Sequence, residues 1–266
     1  MFDPSTTEGL AACLLGLSLL LLAAYAAIRY RQMRYSLAQA PFYLLNLVYT
    51  RIIWRTRVRG RIEFPPGQGG LIVCNHVSSI DPSFVQLGLD RAAHWMVASE
   101  YALQPGMSWM FRVVGAIPVS RGGVDTAATK RAIRYATEGE LVGIFPEGRI
   151  NTTRRVLLPG RPGAALIALK ARVPVVPAYI RGAPYDGTEY GCFLMSAKVD
   201  VRFGAPLDIS EFYDREHDKD VLEELTRRIM RAIAALAGVN DFEPSLAGRF
   251  YKTERTAEEQ AAARSA

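Results

Sequence analysis

His76 and Asp81, five positions apart in the stretch LIVCNHVSSIDP at residues 71–82, are the side chains whose types and spacing could do chemistry. A carboxylate that reaches back across a turn accepts the proton of one imidazole nitrogen, fixes the tautomer and stabilises the imidazolium. The other nitrogen can then act as a general base. No protein nucleophile accompanies the pair, so a substrate hydroxyl would have to supply one. The same residues also read as a turn histidine bonded to backbone beside an aspartate that caps a helix, because Asp-Pro is a common helix start.

These side chains need a particular frame. Residues 71–74 have the length and branching of a buried strand, and Asp81-Pro82 opens a helix, so His76 falls on a strand-to-helix turn. Open α/β sheets bind ligands at such turns, at the carboxyl ends of their strands. Downstream, apolar strands alternate with helices. A short helix is expected at 82–89, a strand at 94–98, a helix at 124–138 and a strand at 141–145. A helix at 163–172, strands at 173–180 and 198–203, and a helix at 220–237 closed by Gly238 complete the series. This pattern predicts an α/β fold with a mixed, largely parallel sheet flanked by helices. Pro174 and Pro177 place their strand at an edge or a bulge.

Residues 9–28 carry no charge and are rich in Leu and Ala, long enough to form an N-terminal transmembrane helix. The same run could instead lie as a helix within one leaflet. No Lys or Arg precedes it, unlike a cleaved signal peptide, and Arg29, Arg31 and Arg34 follow. An integral membrane protein with its catalytic domain on the cytoplasmic face is expected. From Pro41 to Arg61, aromatic and aliphatic residues interleave with Arg51, Arg55, Arg57, Arg59 and Arg61, a composition suited to an interfacial helix at lipid headgroups. The organisation expected is a membrane anchor over 1–35, an interfacial amphipathic segment over 36–61, a catalytic domain over 62–240 and a polar tail over 241–266.

The 266 residues carry a net charge of +6. Anionic lipid, phosphate-bearing substrates and nucleic acid would all suit that balance, and only the placement of the charge separates them. Cys13, Cys74 and Cys192 show no paired spacing, which argues against a disulfide framework or a zinc site, and no metal ligand cluster is visible. His94 and His217 read as structural. G-x-S-x-G, phosphate-loop and dinucleotide glycine motifs are missing from the sequence.

Four blocks occur in order, NHVSSID, GAIPVSRG, FPEGRIN and VPVVPAYI. Over residues 57–205 the chain thereby resembles the glycerolipid acyltransferase family, which includes lysophosphatidate acyltransferases. The resemblance implies acyl transfer from a thioester of coenzyme A or acyl carrier protein, as co-substrate, to a glycerolipid hydroxyl, with no bound cofactor and membrane phospholipid as partner. It implies His76 as the base and Asp81 as its orienting group. Arg121 would hold the acceptor's phosphate, with Gly122 clearing room for it. Glu147 and Gly148 would bind the acceptor's polar backbone, Asn75 belongs to the first block, and Pro177 would shape the acyl pocket. Two features depart from the family pattern. The third block continues Gly148-Arg149-Ile150-Asn151 instead of Gly-Thr-Arg, so Arg149 arrives one position early. A lysine common between the first two blocks is replaced by the neighbourhood Ala98-Ser99-Glu100. The acceptor is therefore lysophosphatidate or another lysophospholipid.

Two other readings compete. A non-catalytic tether binding anionic lipid or nucleic acid would tolerate loss of His76; of the two ligands the lipid is expected, and nucleic acid is not. A thioesterase could use water, or Cys74 as nucleophile, although its position on a buried strand favours a core thiol.

Overall fold

The computed structural model describes residues 4–32, 35–120, 125–188 and 190–247. Its centre is a seven-stranded sheet in the order β1-β7-β6-β2-β5-β3-β4. The strands are β1 (Arg57–Arg59), β2 (Gly70–Cys74), β3 (Ala93–Ala98), β4 (Ile117–Val119), β5 (Leu141–Ile144), β6 (Val175–Arg181) and β7 (Asp200–Phe203). Every pairing is parallel except β6 with β7, so β7 and β1 run against the other five. The expected mixed, largely parallel sheet is what forms.

β2 lies between β5 and β6 and is covered on both faces, which is why it reads as an unbroken apolar run and not as an alternation. On one face pack α6 (Thr126–Thr137), α7 (Gly163–Ala171) and α8 (Lys219–Ala237). Ala128, Ala132 and Ala136 of α6 are buried in the same cluster as Ala164, Ala165 and Ala168 of α7, small residues that let these helices approach closely. α8 buries Val221, Leu225, Ile229 and Ile233 at four-residue spacing. It starts on the Asp218 carboxylate and ends at Gly238, whose φ of 92° only glycine adopts without strain. The opposite face holds α3 (Asp81–Val85) and a cluster around Trp54, Phe84 and Trp95.

β6 is internal, contrary to the edge position that its prolines suggest. Pro177 directs its carbonyl, and hence its imino nitrogen, toward β7, where that ladder begins only at Ala178. The neighbour at that point, Gly204, donates to the Pro177 carbonyl at 2.9 Å, so the proline costs only the return bond, at a position just beyond the end of the β6–β7 ladder.

At the N-terminus, α1 (Pro4–Gln32) is a 29-residue helix, and Leu10, Leu14, Leu15, Leu17, Leu19, Leu20 and Leu21 are all exposed. Among the described residues, no helix is long and apolar enough to cross a membrane. α2 (Ala40–Val48) continues through a π-helical turn at Tyr49–Ile53 toward β1, leaving Leu44, Leu45, Val48, Ile52 and Ile53 exposed. α4 (Ser99–Ala102) and α5 (Ser108–Val113) connect β3 to β4. Past Gly238 the chain does not leave the domain at once. Phe242 packs on the α6–α8 cluster, and Ser245 and Ala247 bond to both main-chain groups of Gly160, each at 2.9 Å.

Candidate active site

β2 ends at Cys74, and the chain turns out of the sheet through Asn75 and His76. Asn75 replaces the ladder that β2 abandons: its amide donates to the Ile180 carbonyl at 2.9 Å and accepts from the Ile180 N–H at 2.7 Å. The side chain thus acts as a strand extension, engaged with backbone and not directed at a ligand. His76 follows with its main chain held on both sides. Its N–H donates to Glu147 Oε1 at 2.8 Å, and its carbonyl accepts from the Asn151 N–H at 2.6 Å.

His76 Nδ1 lies 2.9 Å from Asp81 Oδ2, the bond that the spacing suggested. That oxygen also accepts from the Val77 N–H at 2.6 Å and the Ser78 N–H at 2.9 Å. Asp81 is fully buried, while the imidazole keeps 17% of its surface exposed. Asp81 is not the N-cap of α3, a position taken by Ile80; it is the first helical residue, and its carboxylate reaches back over the turn. With Nδ1 committed to Asp81, Nε2 is the nitrogen left to face a substrate. The ring is held flat against Phe145, with centroids 4.0 Å apart and planes 10° apart. Phe145 in turn stacks on Trp95 at 4.9 Å.

Glu147 is fully buried, and its two oxygens serve two backbone donors: His76 N–H on Oε1 and Leu158 N–H at 2.7 Å on Oε2. Burial pushes its carboxyl up to about 8, against those two N–H groups, which favour the charged form. It joins the loop after β5 to the turn after β2. Gly148 has φ +69°, and a Cβ there would meet the Arg161 side chain at 2.8 Å. Arg149 is half-buried and near enough to favour the charged form of Glu147. Arg121 and Gly122 lie outside the described residues. Just before them, the Ser120 N–H donates to the Asp125 carboxylate at 2.7 Å. Pro177 is buried in the middle of β6, opposite Val73 in register and beside Gly204, and so sits in the sheet itself. Cys74 is completely buried. Burial first, then the nearby Asp81 and Glu147 carboxylates, push its thiol up, which removes it as a nucleophile.

His76, Asp81, Asn75, Glu147, Gly148 and Arg149 are thus gathered at the carboxyl ends of β2 and β5. The sequence gives no sign of the backbone donors Asn151 and Leu158 or of the Phe145–Trp95 stack. Phe145 had one local signal, its place directly before Pro146-Glu147-Gly148.

The family model described as Acyltransferase matches residues 55–181, the stretch that holds the His–Asp turn and strands β1 to β6. The chain is 29% identical over 177 residues to a 1-acyl-sn-glycerol-3-phosphate acyltransferase of Bacillus subtilis, covering 65% of this chain and 85% of that protein. It is 32% identical over 141 residues to the alpha form of that enzyme from Ovis aries, but spans only 47% of the sheep protein. In fold it resembles the crystal structure of the 1-acyl-sn-glycerophosphate acyltransferase from Thermotoga maritima, with a TM-score of 0.52 and 21% identity over 84% of this chain and 90% of that one. Residues 55–181 thus form a domain of the Acyltransferase family, the relatives it resembles are named 1-acyl-sn-glycerol-3-phosphate acyltransferases, and the chain is an acyltransferase-family enzyme.

Proposed function

We propose that this chain transfers an acyl group from a thioester of coenzyme A or acyl carrier protein to the free hydroxyl of a lysophosphatidate-type acceptor. His76 Nε2 takes the hydroxyl proton, and the oxygen attacks the thioester carbonyl carbon. The tetrahedral intermediate then expels the thiolate as the C–S bond breaks, and the imidazolium returns the proton to sulfur. Asp81 holds the tautomer and offsets the imidazolium charge. The observation that carries this reading is the 2.9 Å bond from Nδ1 to a fully buried carboxylate, on an imidazole that keeps 17% of its surface open to solvent. A merely structural turn histidine needs no such exposure. The phosphate falls to Arg121, or to Arg149 if the displaced third-block arginine takes that task. The latter arrangement favours a second reading, in which the acceptor is a lysophospholipid with a different headgroup.

The bilayer supplies the acceptor, and the N-terminal helices suit it. α1 presents leucines with no protein partner over them, and α2 with its π-helical turn presents five more aliphatic side chains beside arginines. In this reading α1 anchors the chain by lying in one leaflet, its exposed leucines among the acyl chains. Arg29, Arg31 and Arg34 mark the cytoplasmic side, and the sheet domain works on that surface.

The test is incubation of detergent-solubilised protein with mixed lysophospholipids and both thioester donors, with products read by mass. His76→Ala should lose about 10²–10⁴-fold in transfer while keeping its circular dichroism and membrane attachment. Transfer at the unsubstituted rate in that variant would refute the base.

A further inference from the structure

The connection from β6 to β7 takes 18 residues, Gly182 to Val199, where the antiparallel pair needs only a short turn. It is pinned at several points. Ser78 Oγ, in the turn that carries His76, donates to the Pro184 carbonyl at 2.6 Å, and Cys192 Sγ lies 3.6 Å from Ser79 Oγ. Trp54 Nε1 donates to the Met195 carbonyl at 3.0 Å. The Phe193 ring meets Tyr49 edge-on at 5.9 Å and Trp54 at 5.8 Å. The Tyr190 hydroxyl bonds to Gln104 across the domain.

A strap held this firmly nevertheless turns Leu194 outward with 93% of its surface exposed, and Phe193 with 41%. An isolated surface leucine needs no explanation. This one is not isolated, because Phe193 rests on the same π-helical turn whose Ile52 and Ile53 are exposed. Positive charge lies nearby. Arginines stand at positions 51, 55, 57, 59 and 61, of which Arg59 pairs with Asp200 and Arg61 with Glu63, and Lys198 follows the strap. Arg55 also donates to the Ala197 carbonyl at 3.2 Å, which places a guanidinium at the end of the strap.

We propose that the strap at residues 190–195 is a second membrane-contacting element. Phe193 and Leu194 enter the headgroup–acyl boundary of an anionic bilayer, while Arg51, Arg55 and Lys198 meet lipid phosphates. The contacts of the same connection with Ser78, through Pro184, and with Ser79, through Cys192, then fix the height of His76 above the lipid surface, where an acceptor hydroxyl would lie. The proposal rests on the membrane-surface reading above, and it can fail by itself.

The experiment uses full-length protein reconstituted in phosphatidylglycerol–phosphatidylcholine vesicles. Leu194→Trp should gain a blue-shifted emission component, relative to the unsubstituted chain, that lipids brominated near the carbonyl end quench. Leu194→Asp should raise KM about tenfold or more for lysophosphatidate presented in those vesicles, the scale of one leucine's burial. It should leave kcat on a short-chain, water-soluble acceptor unchanged. An unquenched, solvent-like emission from a chain that is still active overturns the strap contact and leaves the acyltransferase reading intact. A shift from dimer to monomer on Leu194→Asp in sedimentation also overturns it, since the occupant would then be a second copy of the chain.

Discussion

The site's chemistry and its support come from different kinds of residue. Asp81 does two jobs with one oxygen, orienting the imidazole and tying the Val77 and Ser78 N–H groups. Asp81→Asn should therefore cost both rate and stability. Transfer is expected to fall about 10²–10⁴-fold as the tautomer is lost, and unfolding should become easier by about 1–3 kcal/mol as backbone donors lose a charged acceptor. Glu147 makes a pH prediction. Its carboxyl sits near 8 when folded against an ordinary value of 4.5, so the folded chain binds the extra proton between those limits. That contribution to stability is complete below pH 4.5 and is lost as pH rises through about 8. Chemical denaturation of Glu147→Gln should show a flatter loss over this window, on a lower baseline, because an amide cannot accept from both His76 and Leu158. The His76–Asp81 bond was legible in the sequence because both partners lie in one block and the bond is local. The work of Glu147 was not, because its partners are main-chain N–H groups, one of them 71 residues away, and a backbone donor leaves no mark on residue identity.

Among the elements, the apolar runs and helical periodicities announced β2, β5, α7 and α8 within a few residues. What they could not announce was which side of a strand a proline turns toward. That geometry, and not the proline itself, allows β6 to sit inside the sheet. The segment beyond α8 was equally hidden. Its composition is polar, yet Ser245 and Ala247 clasp Gly160, two residues beyond the Leu158 N–H that holds Glu147. Gly160 also faces Met230 and Thr226 of α8, and an added Cβ would stand 2.9 Å from Met230 Cγ. Gly160→Ala should push the loop off α8 and loosen the clasp, at a cost of about 1–3 kcal/mol. In a thermal scan that appears as a Tm lower by about 5 °C. A Tm unchanged from the unsubstituted chain would mean that the loop is not wedged there.

For the whole molecule, membrane attachment divides between apolar insertion and charge. The net charge is +6, and arginines crowd residues 51–61. Charge-based binding to anionic lipid weakens as salt shortens the reach of the field. A chain lacking residues 1–35 should bind phosphatidylglycerol vesicles and be released at about 1 M salt. The full chain should stay with the vesicles in flotation. Equal release of both would remove α1 as the anchor. The sheet order has a further consequence, for synthesis. β1, among the first strands to be made, can pair only with β7, and Asn75 must await Ile180, 105 residues later. A growing chain on the ribosome therefore carries its imidazole in an unfinished cradle until nearly the last strand emerges. Under the proposed function, a nascent fragment that stops short of Ile180 would lack the Asn75 clasp and so hold its imidazole out of place beside the lipid.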